Sequence, residues 1–152
     1  MTEIPATYRA FVVDHEAGAE PGVRTLPSEA LGGEGVLVRV EWSSLNYKDG
    51  LILTGRGRLV KDYPHIGGID LAGTVLESQS SRWTVGQRVL LTGFRVGEIW
   101  WGGYATKARV KSEWLCEVPA AISSRQAMAI GTAGFTAMLA IDMLEKTGLR
   151  PG

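Results

Sequence analysis

Cysteine is nearly absent from this sequence: Cys116 is the only one among 152 residues. One thiol excludes an internal disulfide and any metal site built on several thiolates. Histidine is almost as scarce, and one thiol with two histidines cannot make a zinc site at usual spacings. Net charge is absent too. The 16 basic and 16 acidic side chains balance to zero, which gives no field for holding nucleic acid or an anionic membrane surface. No apolar run approaches the roughly 20 residues that cross a bilayer. Met1 to Arg9 contains no apolar stretch of the kind that marks a secretory signal. The expectation is a cytoplasmic chain without nucleic-acid or membrane partners. A Gly-x-Gly-x-x-Gly unit between a strand and a helix is also missing, so no dinucleotide-binding fold is legible here.

What is present fits one domain with a sizeable core, at 45% hydrophobic residues. The first two-thirds carries short strand-like runs punctuated by glycine. Tyr8 to Asp14 is a candidate first strand. After the turn Gly32 to Gly35, Val36, Val38, Val40 and Trp42 alternate with Leu37, Arg39 and Glu41, the period of a half-buried strand. Asp70 to Glu77, Gln87 to Leu91 and Tyr104 to Val110 are further candidates, separated by Ser78 to Gly86 and Gly93 to Gly103. Many short strands spaced by turns predict a barrel or sandwich. Cys116, at the end of a strand-like run, reads as a buried, inert thiol.

The last 30 residues change character. Ser123 and Gln126 form a capping-box pattern that opens a short helix, Ser124 to Ile130, which Gly131 interrupts. A second helical run follows from Phe135 to about Lys146, with Gly148 as terminator. It is apolar nearly all round, and one flank has nothing to pack against unless more chain follows. Arg150-Pro151-Gly152 is a turn signal, so the sequence reads as stopping short of a further domain. The expected division is a barrel over 1–122 and connecting helices over 123–152.

Four segments carry the chemistry: Trp42 to Asp49 (WSSLNYKD), Gly67 to Val75 (GGIDLAGTV), Trp101 to Ala105 (WGGYA) and Gly131 to Ala137 (GTAGFTA). In this order and spacing they resemble the medium-chain dehydrogenase/reductase superfamily, and the first and last are especially similar to its acryloyl-CoA reductase branch. The resemblance implies a mainly β, GroES-like, distorted and partly open barrel, whose C-terminal helices lead to a Rossmann domain that this chain lacks. It also implies a metal-free site. Zinc-using relatives place a cysteine ligand where Asn46 stands, a histidine ligand where Ile69 stands, and a third ligand within Gly131 to Gly134.

The implied reaction is NADPH-dependent reduction of a small 2-enoyl-CoA, acryloyl-CoA to propanoyl-CoA, by a homodimer in the complete protein. Asn46 offers an amide beside nicotinamide and substrate, or is a turn-forming residue before a helix. Tyr47 is a candidate proton donor, or a packing aromatic. Lys48 could meet cofactor phosphate or ribose, or be solvated. Thr132 sits at a small-residue junction where a flat ligand can approach, and helix capping is the compatible rival. Asp70 reads as structural, pairing with a basic neighbour. Arg56, Arg58 and Lys61 lie on the most basic loop and could receive coenzyme A phosphates, or be ordinary surface cations. His15 and His65 read as structural, and Trp100 and Trp101 as lining a substrate mouth or sealing a loop. Two rivals stand beside this reading: an NADPH-dependent quinone or enone reductase of the same superfamily, and a non-enzymatic barrel that binds a partner.

Overall fold

A computed structural model describes residues 4–150, and one strand begins at Val36, where the sequence starts to alternate. The chain runs β1 (Thr7–Asp14), β2 (Ala19–Pro27), β3 (Val36–Trp42), α1 (Tyr47–Leu53), β4 (His65–Ile66), β5 (Asp70–Ser78), β6 (Arg88–Thr92), β7 (Lys107–Val110), β8 (Cys116–Glu117) and α2 (Ser124–Lys146). All pairings between named strands are antiparallel. One sheet has the order β2-β1-β4 and the other β7-β3-β5-β6-β8. A bridge between Ala10 and Ala105, with the Phe11 N–H donating to the Tyr104 carbonyl at 2.8 Å, stitches the sheets along one seam. The result is the distorted, partly open barrel that the family resemblance implies, where strand spacing alone left barrel and sandwich open.

The valines of β3 explain where the core sits. Val36 and Val38 are fully buried with Leu71 and Val75 of β5, Val89 and Leu91 of β6 and Val110 of β7. Leu37, on the opposite face, packs with Tyr8, Ala10, Val12 and Ile66 of the other sheet, so β3 is buried on both faces at its start. The alternation breaks down at its end, where Trp42 is 47% exposed with the Arg125 guanidinium over its ring. At Gly68, with φ of +97°, a Cβ would lie 2.6 Å from the Tyr104 amide nitrogen. No side chain fits there, and the close approach brings the loop before Tyr104 against the start of β5.

Several expectations need correction. β2 was not foreseen, because its residues are mostly exposed and carry no alternation; backbone pairing to β1 holds it. The strand expected from Tyr104 begins at Lys107, since Tyr104 and Thr106 bond across the seam to β1. Cys116 is exposed, not buried, because β8 is a two-residue edge strand.

Helix α2 opens on the capping box: the Gln126 N–H donates to Ser123 Oγ at 3.2 Å, and the Ser123 N–H to Gln126 Oε1 at 2.9 Å. Gly131, at φ +50° and ψ −162°, breaks it as expected, but the helix resumes at once instead of at Phe135. It ends in a Schellman motif, with the Gly148 N–H on the Glu145 carbonyl and the Leu149 N–H on the Leu144 carbonyl, both 3.0 Å. Joined across Gly131, these 23 residues are long and apolar enough to cross a membrane by length and composition, which the reading of separate runs had missed. The N-terminal turns are nevertheless part of the domain core, with Ala127, Met128 and Gly131 buried. The rest stands away from it: Phe135, Met138, Leu139, Ile141, Met143 and Leu144 are all exposed. Pro151 and Gly152 of the terminal turn signal lie outside the described residues.

Candidate functional site

Strand β3 ends beside the start of β5, and this register delivers Ser43 to Asn46 onto Asp70. Asn46 caps α1 and Asp49 stands three residues later, the spacing of a capping box. Asp49 is fully buried. Its Oδ2 accepts from the Asn46 N–H at 2.9 Å, and its Oδ1 from the Ile69 N–H at 3.0 Å, so one carboxylate fixes both the helix start and the strand start.

Asp70 is the centre of the arrangement and is also fully buried. Its Oδ2 accepts from the Ser44 hydroxyl at 2.5 Å, the Asn46 side-chain amide at 3.1 Å and the Thr132 N–H at 2.8 Å. Its Oδ1 accepts from the Thr132 hydroxyl at 2.5 Å. The break at Gly131 makes this possible, because it frees the Thr132 N–H and aims the N-terminus of the resumed helix at the carboxylate. The expected basic neighbour of Asp70 is not there: among the described residues no Lys or Arg pairs with it. Neutral donors and a helix terminus do the work of a cation, since Ser44, Gly131 and Thr132 close tightly around the carboxylate. Asn46 and Thr132, 86 residues apart in sequence, are thereby held on one acid.

Tyr104 completes the wall. Its hydroxyl donates to the Ser44 carbonyl at 3.0 Å. Burial pushes its phenol far above the ordinary value, and the nearby Asp49 carboxylate adds to the shift. A groove of about 450 Å³ follows the seam between the sheets past Phe11, Val40, Trp42, Ser43 and Tyr104. The sequence pattern around Tyr104 carries no role for the tyrosine, and it does not single out Ser44 or Asp49 as parts of the site. The Asn-x-x-Asp capping spacing was the available signal for Asp49.

The remaining candidates do not converge on Asp70. Tyr47 is the first residue of α1 and 85% exposed. The Lys48 ammonium pairs at 2.9 Å with the buried carboxylate of Glu98, which Arg95 also approaches at 3.4 Å. Arg56, Arg58 and Lys61 lie on the exposed loop after α1, and none joins an ion pair among the described residues. His15 donates from Nε2 to the Ile52 carbonyl at 3.2 Å, and the buried His65 to the Gly97 carbonyl at 2.7 Å. Both hold backbone. Trp101 seals a loop by donating to the Pro64 carbonyl at 3.3 Å, whereas Trp100 lies half-exposed beside Trp114 with the Lys111 ammonium over its ring. Among the described residues, no group of three or more His, Cys, Asp or Glu side chains is placed to hold a metal.

Comparison with known proteins places these features in context. The alcohol dehydrogenase GroES-like domain family matches residues 32–120, more than half of the chain. An acrylyl-CoA reductase from Ruegeria pomeroyi is 51% identical over 148 residues, which are 95% of this chain and 45% of that protein. A putative quinone oxidoreductase from Bacillus subtilis is 43% identical over 129 residues, 85% of this chain and 39% of that protein. A Salmonella enterica oxidoreductase solved in complex with NADP superposes with a TM-score of 0.90 at 51% identity, covering 94% of this chain and 44% of that one. The chain thus spans less than half the length of the curated relatives it matches.

Proposed function

The chain belongs to the alcohol dehydrogenase GroES-like domain family, and from that premise we propose that it is the substrate-side part of an NADPH-dependent, zinc-independent reductase of small 2-enoyl-CoA thioesters, with acryloyl-CoA as the type substrate. The observation that carries this reading is the convergence of Asn46 and Thr132 on Asp70, in a chain half identical to an acrylyl-CoA reductase.

The residues present fit the nicotinamide end of such a cofactor. Asn46 and Thr132 are half-buried, carry neutral hydrogen-bonding groups and are backed by a fixed carboxylate, as an uncharged ring with a carboxamide requires. When bound, the reduced nicotinamide supplies a hydride to the β-carbon of the enoyl thioester. The chain's own groups deal with the rest. Tyr47 presents its hydroxyl to solvent at the edge of the site and delivers a proton to the α-carbon, with water as the alternative donor. Lys48, held by Glu98, steers anionic ribose-phosphate groups, and Arg56, Arg58 and Lys61 receive coenzyme A phosphates. In the complete protein, a homodimer in the cytoplasm, a nucleotide-binding domain would rest on the apolar residues of α2 from Phe135 onward and hold the pyrophosphate at a helix N-terminus.

Substitution in the complete protein tests the assignment. Tyr47→Phe keeps the ring and removes the proton, and should lower kcat by roughly 10²–10⁴-fold without loss of folding. Asn46→Ala should raise the KM for cofactor, because a positioning amide acts in the ground state as well. Wild-type kcat in Tyr47→Phe with acryloyl-CoA removes Tyr47 from the mechanism. A second reading, reduction of quinones, draws on the Bacillus subtilis relative and predicts turnover that ignores the coenzyme A moiety.

A further inference from the structure

Asp70 does more than join two strands to a helix. Its four contacts all run in one direction, and that direction determines what the site can recognise. A carboxylate accepts and cannot donate, so every group that touches it must spend a proton on it. The Thr132 hydroxyl, at 2.5 Å from Oδ1, spends its only proton there. Ser44 Oγ spends its only proton on Oδ2. The Asn46 side chain faces Oδ2 of Asp70 at 3.1 Å and Oδ2 of Asp49 at 3.3 Å. Between two carboxylates the atom turned inward has to be the nitrogen, whichever way an isolated amide would settle. Its N–H groups have a further acceptor in Ser44 Oγ at 3.0 Å. The donors of Asn46 are therefore consumed inside the cluster.

What remains outward is uniform in kind. Thr132 keeps only the lone pairs of Oγ1, and Asn46 keeps only Oδ1, whose two lone pairs exceed the single demand of the capping box. Neither atom is sealed in the interior without a partner, since Tyr8 Oη is the one such side-chain atom among the described residues. We propose that Asp70 is a positioning residue that sets the hydrogen-bond polarity of the site, so that Asn46 and Thr132 meet a ligand as acceptors alone and select a group bearing N–H or O–H donors. The ligand class is a neutral carboxamide or hydroxyl. A carbonyl, ester or enolate oxygen finds no donor on the side chains of Asn46 and Thr132. The inference rests on the proposed nicotinamide reading for the identity of the carboxamide, and it has a consequence for that chemistry: Asn46 and Thr132 cannot hand a proton to the substrate. That task falls to a group outside the cluster, such as the exposed Tyr47.

The test uses the 152-residue chain, isotopically labelled, and nuclear magnetic resonance. The first measurement is hydrogen exchange of the Asn46 side-chain amide. It should be slowed at least about tenfold relative to an exposed asparagine, the protection expected of a paired donor. Asp70→Asn, nearly isosteric, turns half of the carboxylate into a donor and should lower the protection, leaving only what Asp49 Oδ2 and Ser44 Oγ supply, and Asp70→Glu should recover part of the loss. If Asp70→Asn loses its dispersed spectrum, Thr132→Val and Thr132→Ser replace it: Val should weaken ligand discrimination while leaving Asn46 protected, and Ser should restore it. The second measurement is titration with nicotinamide and with methyl nicotinate, an ester of the same shape without N–H groups. Nicotinamide should shift the Asn46 and Thr132 signals with at least about tenfold preference over the ester, falling to near parity in Asp70→Asn. Equal response to amide and ester, or an Asn46 amide that exchanges as freely in the wild type as in Asp70→Asn, overturns the proposal. If neither compound moves these signals while Asn46 stays protected in an Asp70-dependent way, the polarity assignment stands and the nicotinamide reading fails.

Discussion

Replacing Gly131 with alanine sets two forces of opposite sign against each other. In the interior of an ordinary helix, glycine to alanine stabilises by about 0.5–1 kcal/mol, because alanine has less chain entropy to lose and better helix propensity. At Gly131 the backbone sits at φ +50° and ψ −162°, a region almost reserved for glycine, where a side chain costs about 1–3 kcal/mol. The added Cβ would also lie 2.9 Å from Asp70 Oδ2 and 3.1 Å from Ser44 Oγ, closer than such atoms pack. Relief by movement would stretch the two short bonds from Thr132 to Asp70, costing about 1–2 kcal/mol more. The net expectation is destabilisation of roughly 2–4 kcal/mol, or a fall in Tm of roughly 5–15 °C for a domain of this size. Gly22→Ala, where nothing lies within 4 Å of the added carbon, is the control and should be close to neutral. Thermal unfolding followed by circular dichroism reads both. An unchanged or raised Tm in Gly131→Ala would show that α2 runs through Gly131 as an ordinary helix, and would remove the geometry that aims Thr132 at Asp70.

His65 should make stability depend on pH in one direction. Burial lowers its folded pKa despite the Gly97 carbonyl and Asp62, so the folded state binds fewer protons than the unfolded one. Stability should be full above about pH 6.5, the unfolded value, and fall as pH drops through it. His65→Gln should flatten that slope in urea titrations, and an equal slope in both proteins would contradict the burial argument. Cys116, exposed on the edge strand β8, should react with a thiol reagent in the native protein at a rate close to that of the unfolded chain; protection of 100-fold or more would contradict its exposure, taking about 2.7 kcal/mol of local opening as the equivalent. Elemental analysis of the complete protein should find no stoichiometric zinc, because among the described residues no group of three or more His, Cys, Asp or Glu side chains is placed to hold a metal; one tightly held zinc per chain would refute the proposed zinc independence.

Local signals made much of the framework legible. The period of two over Val36 to Val40 gave β3, the Ser123 and Gln126 pair gave the start of α2, and Gly131 gave its break. β2 was illegible because its contribution is backbone pairing on an exposed edge, which leaves no hydrophobic pattern. Cys116 misled because free cysteine is usually buried, and nothing local announces a two-residue edge strand. The site was only half readable for a different reason. Asn46 and Thr132 stood out by motif, but the acid that joins them does so through contacts 24 and 62 residues long in sequence. Asp70 looked like a residue in need of a cation, whereas the fold supplies hydroxyls, an amide and a helix terminus that only tertiary structure brings together. Tyr104 was hidden for the same reason, since its bond to the Ser44 carbonyl spans 60 residues.

Steady-state NADPH oxidation by the complete protein, with acryloyl-CoA and with a quinone compared side by side, bears most directly on the proposed function. The expected result is turnover of acryloyl-CoA to the saturated thioester with a kcat/KM well above that for the quinone, and loss of that advantage when Arg56, Arg58 and Lys61 are replaced together by glutamine. Turnover of the quinone alone, with acryloyl-CoA inert, would contradict it.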